Sequence, residues 1–298
     1  MFLMDTLTKG LLYIFLAGSM LAIGLKVGKD ELLTVVRDRS WLLRMFVANF
    51  LLIPAAGILA TRVLTMKPEN ALALILLACA PGGLGSIQFL SKKRDAAALA
   101  YGGGTTILLS LLSILISPFL IALAIPKGMS LTVPYGKAIV FVSLTMLLPL
   151  AVGILVQGTA GKAARKLGTP VALIATLAFV AGMLKLLRIT KWARGEMGAR
   201  GLMGMILFIL LSMLIGWLFG GPRKFTRPIL AAASSMRNGA LGLAIAVRSF
   251  PDLAVVMPLV AFVAIMVPLN MLYMVISKAA WRKAEKRAAL VHPHGGAR

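Results

Sequence analysis

Cysteines, histidines and acidic residues are scarce in this chain of 298 residues. Cys79 is the single cysteine, and there are two histidines and nine Asp and Glu residues. A lone cysteine excludes an intrachain disulfide, a CxxC redox motif and a thiolate metal site. The apolar stretches also lack any grouping of acids, histidines and cysteines suited to acid–base, metal or nucleophilic chemistry. The sequence therefore predicts neither an enzyme nor a bound metal or cofactor.

Apolar residues dominate what remains of the sequence. Hydrophobic residues make up 60% of the chain and charged residues 14%, and the mean hydropathy is +0.95. Lys and Arg number 32 and give a formal net charge of +23. These basic residues separate apolar segments that are long enough to span the hydrocarbon of a bilayer. The composition therefore indicates a lipid bilayer as the partner and argues against nucleic acid.

Nine mostly apolar stretches approach or exceed the length of about 20 residues that a membrane-spanning helix needs. They run over residues 9–26, 40–64, 69–91, 95–125, 134–157, 168–188, 200–220, 226–250 and 252–277. In lipid, every backbone polar group must be paired within a helix or a closed barrel, and the sequence shows no barrel-like alternation. We therefore predict an all-α polytopic membrane protein with about nine transmembrane helices.

The distribution of Lys and Arg predicts how the chain lies in the cell membrane. The densest basic cluster, Lys278 to Arg287, places the C-terminus in the cytoplasm, and an odd number of spans then places the N-terminus outside. The connection at 185–200 is also basic although it should be external, and nothing in the sequence explains this. Residues 29–39 mix apolar and charged side chains, which suits either a short interfacial helix or a solvated loop.

Two of the nine stretches are interrupted near their midpoints. The third contains Pro81 followed by glycines, so its helix should break within residues 81–88. The eighth contains serines, Arg237, Asn238 and glycines within residues 233–239. Irregular backbone at membrane depth is tolerated only where it is buried in protein or lines a wet cavity. Because odd and even spans run in opposite directions, the pattern predicts two antiparallel broken helices at equal depth, as in inverted-repeat secondary transporters.

Arg237 is the charged residue that most needs an explanation. A guanidinium at the centre of a membrane helix costs about 2.5–3.5 kcal/mol on insertion scales. One interpretation is that Arg237 donates hydrogen bonds to backbone carbonyls freed by a broken helix, or extends to an interface. The other is that it contacts an anionic group of a substrate in the cavity between the crossing helices. None of the nine acids falls at the midpoint of a predicted helix.

Several segments, in the same order along the chain, resemble the bile acid:sodium symporter superfamily. The matching segments are Ala22-Ile23-Gly24-Leu25, Asn49-Phe50-Leu51-Leu52-Ile53-Pro54, Ala80-Pro81-Gly82-Gly83, Leu147–Leu155 and Met236-Arg237-Asn238. The Pro-Gly-Gly crossover is the most specific of them. The chain is similar to the nine-helix form of the family, which lacks the first of ten helices.

The resemblance implies a core that moves against a panel in alternating access. The core would contain residues 39–133 with the crossover at 81–88 and residues 200–278 with the crossover at 233–239. The panel would contain residues 134–199 together with residues 1–38, which hold the first helix and the interfacial segment. Residues 279–298 would form the basic cytoplasmic tail.

The resemblance also implies where the family binds sodium, and this chain departs from that pattern. Family ligands come from a Ser-Asn pair after the Pro-Gly-Gly, from a glutamine on the preceding helix and from a Glu-x-x-Met-Gln-Asn segment. Here Ser86 is kept, while Ile87, Asn49, Ala233 and Arg237 replace the asparagine, the first glutamine, the glutamate and the second glutamine. Thr105 and Thr106 lie on the helix that supplies further hydroxyl ligands, although close helix packing explains them equally well. The departures make sodium a doubtful partner.

Together these features predict a secondary transporter of a small organic or inorganic anion by alternating access. The predicted substrate-binding residues are Arg237, Asn238, Ser86, Gln88, Ser235, Asn49, Thr105 and Thr106. One alternative is a sodium-coupled symporter of an organic, bile-acid-like anion with rearranged ligands. Another is an ion channel.

Overall fold

The helical architecture agrees closely with the predicted stretches. The computed structural model describes residues 6–82, 96–125, 140, 143–189, 197–223, 225–249 and 253–291, and these ranges contain no strand. The helices are α1 (Thr6–Lys26), α2 (Lys29–Arg37), α3 (Arg39–Val63), α4 (Pro68–Ala78), α5 (Ala96–Ala124), α6 (Leu144–Ala160), α7 (Lys162–Ile189), α8 (Gly198–Phe219), α9 (Thr226–Ser235), α10 (Gly239–Ser249) and α11 (Leu253–Val291). The all-α polytopic fold is thus confirmed. Helix α4 ends at Ala78, three residues before the interruption predicted at 81–88, and the second predicted interruption separates α9 from α10.

Apolar length and apolar exposure identify these helices as membrane helices. Within the described ranges, five helical segments are long and apolar enough to cross a bilayer: Arg39–Val63, Ala100–Ala124, Lys162–Gly182, Gly198–Phe219 and Ala254–Ser277. Shorter apolar helices cover Tyr13–Lys26, Pro68–Ala78 and Leu144–Ala160. Large apolar side chains point outward along whole helix faces, as Leu115, Phe119 and Leu123 do on α5 with about 70% of each exposed. The protein is therefore a multi-pass membrane protein.

Helix α1 packs along α6 and α7, and glycines bring the backbones together. Gly24 of α1 faces Gly153 of α6, and a Cβ atom at Gly153 would lie 2.6 Å from the carbonyl oxygen of Leu21. A Cβ atom at Gly18 would lie 3.0 Å from the Cβ of Ala175 on α7. Small residues allow such close approach in lipid, where packing rather than the hydrophobic effect holds helices together.

A second set of contacts joins α4, α8, α9, α10 and α11. Its centre is fully buried and apolar, with the rings of Phe208 on α8 and Phe262 on α11 5.8 Å apart. Helices α8 and α9 cross at Gly216, where a Cβ atom would lie 2.6 Å from the carbonyl oxygen of Leu230. Burial on all sides explains why α4 shows no polar face in the sequence.

The segment after α1 forms a helix, so of the two structures predicted for residues 29–39 the helix is the one observed. Helix α2 packs on α5 and buries Glu31 and Val35, while Leu33 and Val36 remain exposed on the other side. Glu31 accepts a hydrogen bond from the backbone N–H of Gly28 at 2.9 Å and pairs with Arg165 of α7 at 2.6 Å. Helix α2 therefore contacts both α5 and α7.

Asp38 joins three elements at the start of α3. Its carboxylate accepts hydrogen bonds from the hydroxyl of Tyr101, the backbone N–H of Trp41 and the guanidinium of Arg223. These bonds, with that from Tyr101 the largest influence, hold the pKa of Asp38 below its ordinary value against the opposing effect of burial. Asp38 thus caps α3 and ties it to α5 and to the connection between α8 and α9.

Candidate binding site at the helix breaks

The first break begins just before the proline and glycines, three residues earlier than predicted. Helix α4 ends at Ala78, Cys79 is its C-cap, and Gly82 adopts a φ of +102°. A Cβ atom at Gly82 would lie 2.7 Å from the backbone nitrogen of Ser110 on α5, so both the conformation and the close packing require glycine. The hydroxyl of Ser110 donates to the carbonyl of Gly82 at 2.9 Å. Residues 83–95, with the predicted site residues Ser86 and Gln88, lie outside the described residues.

The second break interrupts the eighth predicted stretch at three residues. Helix α9 ends at Ser235, and α10 begins at Gly239. The side-chain oxygen of Asn238 accepts a hydrogen bond from the backbone N–H of Leu241 at 3.0 Å, which caps α10. The backbone N–H of Asn238 donates to the carbonyl of Ala80 at 2.8 Å. A main-chain hydrogen bond therefore joins the two breaks directly.

Arg237 lies at this junction with 1% of its surface exposed. Its guanidinium donates to the carbonyl of Leu77 at 3.0 Å and to that of Ala78, both at the end of α4. It also donates to the carbonyl of Ser234 at 3.2 Å and to the side-chain oxygen of Asn49 at 2.9 Å. Four of the five N–H donors of an arginine are thus used. The structure therefore shows the first of the two interpretations, in which Arg237 donates hydrogen bonds to backbone carbonyls at a helix break.

Asn49 holds Arg237 from the side of α3. It lies within a π-helical turn, Val47–Leu52, a local distortion that is frequent at functional sites. Its amide nitrogen donates to the hydroxyl of Ser234 at 3.0 Å and to the carbonyl of Met45 at 3.1 Å, so its oxygen is the atom left to face Arg237. Asn49 is fully buried. The predicted residues Asn49, Arg237 and Asn238 therefore come together at the breaks.

The guanidinium is balanced by dipoles rather than by a carboxylate. Leu77, Ala78 and Ser234 contribute carbonyls at the C-terminal ends of α4 and α9, where helix dipoles carry partial negative charge. Among the described residues, no acid forms an ion pair with Arg237, since the carboxylates of Glu31 and Asp38 pair elsewhere. A buried cation without a full countercharge retains attraction for an anion. The site therefore favours negative charge nearby.

A cavity of about 190 Å³ opens beside the breaks. The two breaks contribute Gly82, Met236, Arg237, Asn238 and Gly239 to its lining. The surrounding helices contribute Phe15, Ser19 and Met20 from α1, Thr176 and Phe179 from α7, and Val263, Met266, Val267 and Met271 from α11. The cavity therefore lies between α1 and α7 on one side and the breaks and α11 on the other.

Two neighbouring residues of the lining, Arg237 and Asn238, keep hydrogen-bond donors without a partner among the described residues. The amide nitrogen of Asn238 is buried and has no partner among the residues that the structure describes. Its orientation is fixed, because the oxygen of the same amide caps α10. The hydroxyls of Ser19 and Thr176 donate to the carbonyls of Leu16 and Ala172 on their own helices. The free donors of the lining are therefore the Asn238 amide and the remaining N–H of Arg237.

The other predicted site residues lie outside the cavity lining. Ser235 donates to the side-chain oxygen of Asn270 at 2.6 Å, behind the second break. Thr105 accepts a hydrogen bond from the indole of Trp41 at 3.0 Å, and Thr106 donates to the carbonyl of Gly102. Close helix packing, the other explanation of this region, is present next to them, because a Cβ atom at Gly103 would lie 2.9 Å from Val27.

Sequence reasoning missed the apolar half of the lining and two polar residues behind it. Methionines and phenylalanines are common in membrane helices, so no signal marks Met20, Phe179 or Met271 as cavity residues. Asn270 did carry a signal, since it is an amide in the middle of an apolar stretch. Its side-chain oxygen accepts a hydrogen bond from the hydroxyl of Ser235 at 2.6 Å. Ser234 stands within the predicted break and contacts both Asn49 and Arg237.

The end of α4 and the break between α9 and α10 are joined by a main-chain hydrogen bond beside a cavity, an arrangement that suits a secondary carrier. The chain belongs to the Sodium Bile acid symporter family, whose pattern matches residues 13–191. This confirms the resemblance. A relative from Bacillus subtilis (strain 168), named as the uncharacterized sodium-dependent transporter YocS, is 25% identical over 248 residues, which cover 82% of this chain and 75% of the relative. The chain is thus a member of a transporter family.

Proposed function

We propose that this protein carries a small anion across the membrane and holds it beside Arg237 and Asn238. The observation that supports the proposal is a buried guanidinium, without a carboxylate partner among the described residues, in the lining of a cavity. An anion entering the cavity supplies the countercharge that the site lacks. The unpaired amide of Asn238 gives the same anion a hydrogen-bond donor.

We propose alternating access as the route, with the panel and core divided at the residue bounds predicted above. In support, α1 packs chiefly on α6 and α7, whereas the helices around the breaks pack on one another. The cavity lies between these two sets of helices. A relative movement of the sets would open the cavity first to one side and then to the other. In this proposal the N-terminus is outside and the basic tail cytoplasmic.

In this proposal the guanidinium of Arg237 replaces a bound sodium ion at the crossing. Sodium prefers oxygen ligands, and the oxygens that meet at the breaks, those of Leu77, Ala78 and Asn49, already accept hydrogen bonds from Arg237. A second cation about 4 Å from the guanidinium would be repelled by about 4 kcal/mol at an effective dielectric constant of about 20. In this proposal the positive charge of Arg237 takes the place of a coupling ion at this position.

Sodium-coupled transport of an organic anion is the second candidate, and the relative named as sodium-dependent favours it. Under this candidate, sodium binds away from Arg237 with a rearranged set of ligands. The two candidates differ in one measurable respect, because the first needs no sodium and the second fails without it.

Counterflow of labelled hexane-1-sulfonate into proteoliposomes tests both, because this anion stays ionised and does not cross the bilayer as a neutral acid. The first candidate predicts saturable counterflow of equal rate in sodium and in choline. Arg237→Gln should lose most of this counterflow and gain thermal stability from sodium, since the carbonyls at the end of α4 are freed for an ion. Arg200→Gln removes an exposed arginine instead and should behave as the parent protein.

The outcomes separate the candidates. Counterflow that disappears in choline supports sodium coupling and overturns the proposed role of Arg237 as a built-in cation. Equal counterflow by the parent protein and a correctly folded Arg237→Gln variant removes Arg237 from the site. Linear currents that do not saturate with concentration would identify a channel and overturn both candidates.

A further inference from the structure

Two arginines outside the cavity converge where α3, α8 and α9 meet. We infer that Arg44 and Arg227 bind the phosphate group of an anionic phospholipid, and that an acyl chain of this lipid lies along the exposed face of α8. The inference depends on three observations. The two guanidiniums contact the same residue, they have no countercharge among the described residues, and an exposed apolar stripe begins beside them.

Both arginines contact the turn that follows α8. Arg44 lies on α3, and a Cβ atom at Gly221 would lie 2.5 Å from its Nη1 atom. Arg227 lies in the first turn of α9, and its Nε donates to the carbonyl of Gly221 at 3.0 Å. The backbones of this turn and of α9 also touch, since a Cβ atom at Gly220 would lie 2.8 Å from the backbone nitrogen of Arg227. Two adjacent glycines thus allow α3 and α9 to bring their guanidiniums to one place.

These two positive charges lack a carboxylate partner. Among the described residues, Arg44 forms neither an ion pair nor a side-chain hydrogen bond, and Arg227 forms no ion pair. Arg223 in the same connection differs, because its guanidinium pairs with Asp38 at 3.0 Å. Two like charges that contact one residue repel each other, and an anion bound between them removes this repulsion. Phosphate suits the position, since guanidinium N–H groups bind its oxygens in pairs.

Stacking on a tryptophan orients one of the guanidiniums. The Cζ atom of Arg227 lies 4.7 Å from the ring centroid of Trp217, in the last turn of α8. This contact uses a face of the guanidinium, so the N–H groups at its edge remain for a ligand. The indole is 43% exposed. Tryptophan is enriched at the level of lipid headgroups, and its position here places Arg227 at that level.

An apolar stripe on α8 leads from the arginines towards the middle of the membrane. Leu207, Leu210 and Leu214 follow one another at spacings of three and four residues, and 39–52% of each is exposed. Trp217 continues the same face of the helix. From Leu207 to Trp217 the helix rises about 15 Å at roughly 1.5 Å per residue, which is half of a hydrocarbon core of about 30 Å. The stripe therefore has the length of one acyl chain in one leaflet.

Free phosphate compounds share the chemistry of the headgroup, but this position favours a lipid. Helix α8 is long and apolar enough to cross the bilayer, so lipid already surrounds the stripe beside the arginines. Basic pockets between membrane helices on the cytoplasmic side bind anionic headgroups, and this end of α8 is the one predicted to be cytoplasmic. Phosphatidylcholine also carries a cation, which two guanidiniums repel. The site should therefore select a lipid of net negative charge, such as phosphatidylglycerol.

Native mass spectrometry of the purified protein in detergent measures the affinity for the first lipid that binds. Palmitoyl-oleoyl phosphatidylglycerol should bind on the order of 10-fold more tightly than palmitoyl-oleoyl phosphatidylcholine, because the chains are identical and only the headgroup charge differs. Glycerol 3-phosphate supplies the phosphate without the chains. It should bind on the order of 10-fold or more weakly than phosphatidylglycerol, since it gains nothing from the apolar stripe.

Arg44→Gln is the first variant, because this side chain makes no hydrogen bond to the described residues and its loss should leave the melting temperature nearly unchanged. It should weaken phosphatidylglycerol binding about 5-fold, as expected for one basic residue worth about 1 kcal/mol. Adding Arg227→Gln should abolish the preference over phosphatidylcholine. The matched control is Arg62→Gln with Arg200→Gln, which removes the same charge at the opposite ends of α3 and α8 and should keep the preference.

The possible results are unambiguous. Equal affinity of the parent protein for the two lipids overturns the inference. So does a preference that survives Arg44→Gln, or one that the control pair reduces as much as the double variant does, because general surface charge would then explain it. Glycerol 3-phosphate that binds as tightly as phosphatidylglycerol would assign the arginines to a soluble ligand and overturn the lipid site. If the double variant folds poorly, Arg44→Gln alone decides. None of these results bears on anion transport through the cavity, so the proposed function is tested separately.

Discussion

Where the two helix breaks meet, the side chain of Arg237 donates hydrogen bonds to backbone carbonyls that have no partner within their own helices. Arg237 donates to the last carbonyls of α4 and to Ser234 of α9, groups that cannot reach water at membrane depth. Each such carbonyl left unpaired would cost several kcal/mol in lipid. The cost of burying a guanidinium is thus offset by the carbonyls that it satisfies.

Asn49 offers a way to cancel the charge of Arg237 while the packing is kept. Asn49→Asp places a carboxylate at the acceptor that Arg237 already contacts at 2.9 Å. We expect this variant to lose hexane-1-sulfonate binding, because the guanidinium is neutralised internally, and to keep most of its stability, because the ion pair offsets the lost hydrogen bond to the carbonyl of Met45. Scanning calorimetry in detergent and titration calorimetry measure the two properties.

Asn49→Leu is the matched control, because leucine is similar in size to asparagine but its side chain forms no hydrogen bonds. It leaves one N–H of Arg237 and the hydroxyl of Ser234 without their partner, so the free energy of unfolding should fall by about 1–3 kcal/mol. The two variants should therefore separate in stability. Full anion binding by a folded Asn49→Asp protein would contradict a role for the Arg237 charge.

The sequence identified the charged centre of the site but not its surroundings. Arg237, Asn238 and Asn49 stand out because polar side chains are rare in apolar stretches, and they do meet. The partners of Arg237 are mostly main-chain carbonyls, which every residue has, so no pattern of side chains reveals Leu77 and Ala78. The apolar lining from α1 and α7 depends on how distant helices pack, and periodicity does not encode that.

Among the helices, the close crossing of α1 and α6 depends on Gly153, which has no side chain to separate the two backbones. Gly153→Ala adds a Cβ atom 2.6 Å from the carbonyl oxygen of Leu21 and 2.9 Å from the Cα of Gly24. We expect a loss of about 1–3 kcal/mol in the free energy of unfolding, because overpacking forces two backbones apart. A lower melting temperature in detergent would show it.

Gly158→Ala is the control on the same helix, five residues further along. A Cβ atom there has no heavy atom within 4 Å among its described surroundings. Alanine is favoured over glycine within a helix by about 0.5–1 kcal/mol, so this variant should be as stable as the parent protein or more stable. Equal losses for the two variants would mean that the close contact at Gly153 is not the cause, because Gly158 has no such contact and helix propensity favours alanine at both positions.

The helices themselves were predictable because lipid leaves few choices for the backbone. Among the described residues, hydropathy located the helices, the polar residues at 234–238 located the break between α9 and α10, and Pro81 lies three residues after the end of α4. The structure moves some boundaries: α7 begins at Lys162, six residues before the predicted stretch, and α11 continues to Val291. Polar residues extend a helix readily once they are in water, so hydropathy underestimates helix length at membrane surfaces.

For the molecule as a whole, movement of α1 against α5 can be tested by two disulfides of equal geometry. Val27→Cys with Gly103→Cys joins the end of α1 to α5, and Leu11→Cys with Gly182→Cys joins α1 to α7. Both pairs have a Cβ to Cβ distance of 3.6 Å, within the range of disulfides. Cys79 is the single cysteine, so Cys79→Ala supplies the background.

Oxidation of the first pair should abolish counterflow, because it fixes the α1 end to the helices around the breaks, and a reductant should restore it. Oxidation of the second pair should leave counterflow intact, since α1 and α7 move together in the proposed cycle. Normal counterflow after complete oxidation of the Val27–Gly103 pair would argue against movement at this contact.

The bonds between the two breaks also bear on how the chain is made. Arg237 reaches back 160 positions to the carbonyl of Leu77, and Asn238 binds Ala80. A ribosome adding about 5–20 residues per second needs roughly 8–32 s to synthesise that interval. During this time the nascent first half holds bare carbonyl oxygens, so the insertion machinery or trapped water must shelter them until the second half arrives.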